Sequence, residues 1–191
     1  MSAVRLAKRI LRLAKATSDH RLERSGLQLM ATIYEKQRDT KSAKALLKKL
    51  LEVPGATVQE YVTALLQLSS LAPHNGDDPV KYLTKALDQA RTSGNLDAIV
   101  LTQSAMLRHY MSPEVDSDEH CITELLSSQK ELLKDNISVA SRSIIFEDLA
   151  ICEEGETSGS NELRALEQSL TEVTRFSLSD YSTNIVNKAN F

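Results

Sequence analysis

The stretch Leu27–Gly55, LQLMATIYEKQRDTKSAKALLKKLLEVPG, decides the fold. Apolar side chains recur in it every three or four residues, first at Leu27, Met30, Ala31 and Tyr34, then at Ala43, Leu47 and Leu50. That is the period of two amphipathic helices. Asp39-Thr40 marks a corner between them, and Pro54-Gly55 breaks the second. The pattern then returns. Thirty-four residues after the first set stand Tyr61, Ala64, Leu65 and Leu68, and forty after the second stand Leu83, Leu87 and Ala90. An insertion in the second turn, APHNGDD, accounts for the difference between the intervals. A fixed interval of this size is the mark of a helical-repeat architecture.

Outward from this core, the chain reads as nine helical segments, at 3–16, 19–37, 40–52, 57–72, 79–92, 95–111, 118–134, 137–152 and 160–176. No stretch alternates with period two for long enough to make a strand. Several starts carry a mechanism. Thr57 and Glu60 form a T-x-x-E capping box, and Asp78 precedes Pro79, whose missing N–H costs nothing at the first helical position. Ser93-Gly94-Asn95 and Asp135-Asn136 mark further corners. The short connections predict that consecutive helices are antiparallel neighbours. The fold class expected is all-α.

Composition agrees. With 191 residues the chain is long enough for one domain or one short superhelix. Six glycines and four prolines are few for a β-fold rich in turns. With no Trp and 4% aromatics, Leu, Ile, Val and Ala must fill the core. A net charge of −3 supplies no basic field for phosphates, so no nucleic-acid partner is expected. Cys121 and Cys152 form no CxxC pair and suit a reducing compartment. The apolar runs fall far short of the ~18–20 residues of a membrane span. A cytoplasmic or nuclear location is expected, with a mitochondrial one as the rival.

Leu27–Gly55 resembles a tetratricopeptide repeat: Ala31 stands where the first helix meets the second, Tyr34 closes the first and Ala43 opens its partner. The resemblance covers residues 19–92 and continues beyond them by period alone. It implies a right-handed superhelix of antiparallel hairpins over residues 1–176, with 19–92 the best-matching repeats, 95–176 degenerate ones and 177–191 a flexible tail. In the third pair two frames compete, Leu101 with Ala105 or Met106 with Tyr110, facing Ile122 and Leu126. In the fourth, Phe146, Leu149 and Ala150 would face Leu163, Leu166, Leu170 and Val173. The last four form a two-heptad seam, read as a capping helix or a self-association contact.

What the resemblance implies about function is recognition of protein by a groove lined with first helices. The partner-binding positions it implies are Ser25, Gln28, Thr32 and Glu35, joined by Gln59, Val62, Leu66 and Ser69. Family members that clamp a C-terminal carboxylate use Lys and Asn there. This chain has neither at those positions, which suggests a helix or extended peptide of a larger complex instead. No catalytic residue, metal or cofactor is expected. The rival from another class is a small helical metal-dependent or hydrolytic enzyme built on His109, Asp116 and His120. His120 and Cys121 point about 100° apart on a helix, however, and no second ligand cluster follows them.

The first segment raises a separate question. Residues 1–18 carry Arg5, Lys8, Arg9, Arg12 and Lys15 with no carboxylate, opposite an apolar arc of Leu6, Ala7, Ile10, Leu11, Leu13 and Ala14. This basic amphipathic helix reads as an orphan or capping helix at 1–17, or as the sign of a chain cut from a longer array. The expectation is that Leu6, Ile10 and Leu13 pack on residues 22–34. The competing readings are a transit peptide and an adaptor that sits on a membrane surface.

Overall fold

The computed structural model describes residues 3–113, 115 and 119–153. Among these, all regular structure is helical: α1 (Ala3–Thr17), α2 (His20–Lys36), α3 (Thr40–Glu52), α4 (Val58–Leu71), a 3₁₀ turn (Pro73–Asn75), α5 (Pro79–Ser93), α6 (Leu96–Tyr110), α7 (Glu119–Leu132) and α8 (Val139–Glu153). Eight of the nine expected segments are therefore helices. The ninth, at 160–176, and the tail lie outside the described residues.

The starts have the causes the sequence carries. Asp19, Asp39, Thr57, Asp78 and Asn95 each accept a hydrogen bond from a backbone N–H in the first turn of the helix they open. At α4 the capping box is complete, with Thr57 Oγ1 accepting from Glu60 N–H and the Glu60 carboxylate accepting from Thr57 N–H. One turn design serves three corners. Ser18, Arg38 and Gly94 have φ of 52°, 60° and 66°. The N–H of the next residue closes back on the preceding helix, Asp19 to Ala14, Asp39 to Tyr34 and Asn95 to Ala90. That same residue then caps the following helix, so one Asp or Asn ends one helix and begins the next.

The described residues belong to two compact units, 1–137 and 138–191. In the first, each helix packs chiefly on its neighbours in sequence, α4 and α6 also meet each other, and the 3₁₀ turn packs on α3 and α4. Directions follow from particular contacts. Glu23 pairs with Lys49 at 3.6 Å and Arg24 donates to the Pro54 carbonyl at 2.6 Å, so the start of α2 meets the end of α3. Gln103 donates to Ser128 Oγ at 2.7 Å, placing the middle of α6 beside α7.

The core runs through α1 to α6 and carries the expected interval. Ala43, Leu47 and Leu50 are buried, and so are Leu83, Leu87 and Ala90 forty residues later. Leu27, Met30 and Ala31 are buried like Ala64, Leu65 and Leu68, while Tyr34 and Tyr61 pack at the margin of the core. The third pair follows neither expected frame. Its α6 buries Ala98, Val100, Thr102, Gln103, Ser104 and Leu107, while Leu101, Ala105, Met106 and Tyr110 stay half-exposed. A partly polar face of this kind gives a hydrophobic pattern nothing to lock onto. In the second unit, α8 buries Ser141, Ile145, Asp148 and Leu149 along one stripe, and Ser138 Oγ accepts from Ser141 N–H at 3.1 Å at its start.

The first helix docks on one side of the expected apolar arc: Ile10 meets α2 as expected, and Leu6 and Leu13 do not. Ala7 and Ala14 are buried and Leu11 packs on the core, whereas Leu6 is 47% exposed and Leu13 is 55% exposed. Gly26 is the reason. A Cβ there would lie 2.8 Å from Leu11 Cδ2 and 3.1 Å from Ile10 Cγ2, so the missing side chain lets α1 settle closely on α2. Small residues at 7, 14 and 26 set the contact, Ile10 and Leu11 fill it, and Leu6 and Leu13 are turned outward.

Candidate functional site: a trough between α2 and α4

On α2 the expected positions form one stripe of polar residues. Ser25 is exposed, and Gln28, Thr32 and Glu35 are half-buried. The spacing 25, 28, 32 and 35 keeps them on one side of the helix. On α4 the corresponding stripe is Gln59, Thr63, Leu66 and Ser70, with Gln59 and Ser70 exposed and the other two half-buried.

Two polar contacts link these helices across the space between them. Arg24 Nε donates to Glu60 Oε2 at 3.3 Å, and Gln28 Nε2 donates to Gln67 Oε1 at 2.6 Å. Residue numbers rise together along both helices, so α2 and α4 run in the same direction. A shallow cavity of about 210 Å³ lies at one end, between Ser25 and Gln28 on one wall and Gln59 and Thr63 on the other. A second, of about 550 Å³, lies at the opposite end among Glu35, Arg38, Ser70 and His74. The Gln28–Gln67 hydrogen bond spans the floor between them.

Arg24 is the anchor of the site. It is 5% exposed, yet its guanidinium reaches both the Pro54 carbonyl and the Glu60 carboxylate. A buried cation needs such partners. It joins the end of α3, the start of α4 and the wall of the trough. The Thr57 N–H holds the Glu60 carboxyl below its ordinary range, with further help from the Thr57 hydroxyl and the Arg24 charge. At the base of α5, Asp77 receives Lys44 and the Tyr82 hydroxyl, the latter at 3.0 Å, and both lower its pKa.

Of the eight partner-binding positions expected, Ser25, Gln28 and Gln59 line the first cavity and Glu35 the second, while Thr32 is half-buried and Leu66 is half-buried and packed against the core. Val62 is 0% exposed and Ser69 is 8% exposed, so both belong to the core of α4. Ser69 Oγ is occupied with the Leu66 carbonyl at 2.7 Å. The stripe instead passes through Thr63 and Ser70, the next residue along in each case. Adding 34 to the α2 positions misplaces the face because the two helices have different neighbours. α2 lies against α1 and α3, whereas α4 lies against α3, α5 and α6 and buries a wider arc.

The expected alternative centre is not assembled among the described residues. His109 is half-buried with its ring 5.5 Å from that of Tyr110, while His120 is exposed and pairs with Glu124 at 3.2 Å. Asp116 lies outside the described residues. Among those described, no three His, Cys, Asp or Glu side chains gather where one metal ion would reach them all. No helix among them is long and apolar enough to cross a membrane. No protein-family model, curated protein or solved structure matches this chain.

Proposed function

We propose that the chain is a non-catalytic scaffold of tetratricopeptide-like hairpins, whose trough between α2 and α4 receives a peptide or helix from a partner in a larger assembly. The observation that carries this reading is the pair of parallel stripes, Ser25-Gln28-Thr32-Glu35 and Gln59-Thr63-Leu66-Ser70, joined at the floor by the Gln28–Gln67 hydrogen bond. The lining suits a chain with its own polar groups. Amide and hydroxyl side chains offer donors and acceptors, Leu66 offers an apolar anchor, and Glu35 favours a cation. Such a trough is already organised, so little ordering opposes binding.

The test uses the whole chain as bait. Proteins captured from a lysate are identified, and capture is repeated with Ser25→Arg, Glu35→Lys and Ser70→Arg, which line the two cavities. Each should weaken capture while thermal melting stays within a few degrees of the parent, since Ser25 and Ser70 are exposed, Glu35 lies at the end of α2, and such positions contribute little to folding. Val62→Ala serves as the contrasting control, lowering melting through the core. Capture that survives all three trough variants, and is lost only on removing residues 154–191, would reject the trough.

A further inference from the structure

We propose that α1 is a docking face for an anionic phospholipid surface, independent of the trough. The burial of Ala7 and Ala14 fixes which side of α1 faces the protein. At about 100° per residue, Arg5, Arg9 and Arg12 fall on the opposite side, with Lys8 and Lys15 along one flank. All five are exposed, and among the described residues no carboxylate lies within ion-pairing distance of any of them. Leu6 and Leu13 run along the other flank, roughly 50° from Arg9, and both are about half exposed. The helix therefore presents a cationic rail beside an apolar rail, and both face away from α2.

Charge complementarity selects the occupant. The first 18 residues hold five cations and no carboxylate in a chain whose net charge is −3, which leaves the remainder with an excess of eight negative charges. An anionic surface would attract α1 and repel the rest, orienting the molecule with this helix inward. A protein helix at the same place would need a continuous apolar seam. Here only two leucines one heptad apart remain outside, because Ile10 and Leu11 are turned onto Gly26. A lipid interface has no such requirement: phosphate groups meet the arginines, and two leucines dip among the acyl chains. The contact is peripheral, consistent with the absence of any helix among the described residues able to cross a membrane.

The experiment is flotation of the full chain with vesicles of phosphatidylcholine alone or of phosphatidylcholine with phosphatidylserine. Binding is expected only to the second, and should weaken as salt is raised. Replacing Arg5, Arg9 and Arg12 together by Gln should lower the partition coefficient about a hundredfold, at roughly fivefold per cation. The matching triple Lys variant should retain binding. L6S/L13S should weaken binding about tenfold. Circular dichroism should give the parent's helicity for all three, since every substituted side chain is exposed. Equal binding to uncharged vesicles, or no binding to either kind, would overturn the proposal. Capture by a poly-glutamate peptide without vesicle binding would assign the face to an acidic protein. A dimer in sedimentation that L6S/L13S dissolves would assign it to a second copy. Neither the trough variants nor partner capture enters these readouts, so the two readings fail separately.

Discussion

Gly26 decides how the first helix sits. Its Cα faces Leu11 and Ile10 at a distance where even one added carbon would meet Leu11 Cδ2 at 2.8 Å. Gly26→Leu should therefore overpack the α1–α2 contact and cost about 1–3 kcal/mol, more than the ~1 kcal/mol that leaving glycine returns in helix propensity. Leu11→Ala should recover part of that loss in the double variant, because the conflict is with that one side chain. Thermal or denaturant unfolding of the four chains closes the cycle. Equal stability of Gly26→Leu and parent would show that α1 does not depend on this approach. Arg24 teaches the opposite lesson at the same scale. Within its own helix it reads as one more polar residue, but its partners Pro54 and Glu60 lie 30 and 36 positions further along the chain.

At the scale of the element, the fourth helix carries a charge that its capping box stabilises. Glu60 titrates below its ordinary 4.5 because the native state offers its carboxylate the Thr57 N–H, the Thr57 hydroxyl and Arg24. A depressed native pKa means that the unfolded chain binds the proton more readily, so this contribution is fully present above about pH 4.5 and is lost as pH falls through the native value. Glu60→Gln keeps the geometry of the box, since Gln also serves at this position, but removes the charge. The variant should melt below the parent at neutral pH, and the gap should close as pH falls below 4.5. A gap that stays constant with pH would remove the carboxylate from the account. The helices themselves were legible because their causes are local: Asp39, Thr57, Asp78-Pro79 and Asn95 declare their starts within a turn of chain. Faces were less so. On α2 the expected positions are exposed or half-buried, yet on α4 the frame carried over by 34 residues selected buried Val62 and Ser69, and on α1 the apolar arc took in exposed Leu6 and Leu13. Which side of an amphipathic helix is covered depends on how many neighbours it has, and a period within the helix does not contain that number.

For residues 1–137 as a whole, stability should follow position in the chain of contacts. Helices pack mainly on sequence neighbours, so a helix at an end has one partner while a central helix has several. α4 lies against α3, α5 and α6, and buries Ala64, Leu65 and Leu68 to within 1% exposure. α1 lies against α2, and rests on two alanines and partly buried branched side chains. Opening α1 separates one interface, whereas opening α4 separates three at once. Native-state amide hydrogen exchange should therefore give the greatest protection along α4 and adjoining α5, falling through α2 and α3 towards α1. Gly26→Leu should accelerate exchange in α1 well before it affects α4, because the perturbed contact belongs to that end alone. A lone global rate for every helix from α1 to α6 would instead require one cooperative body, with the α1–α2 contact as strong as the centre.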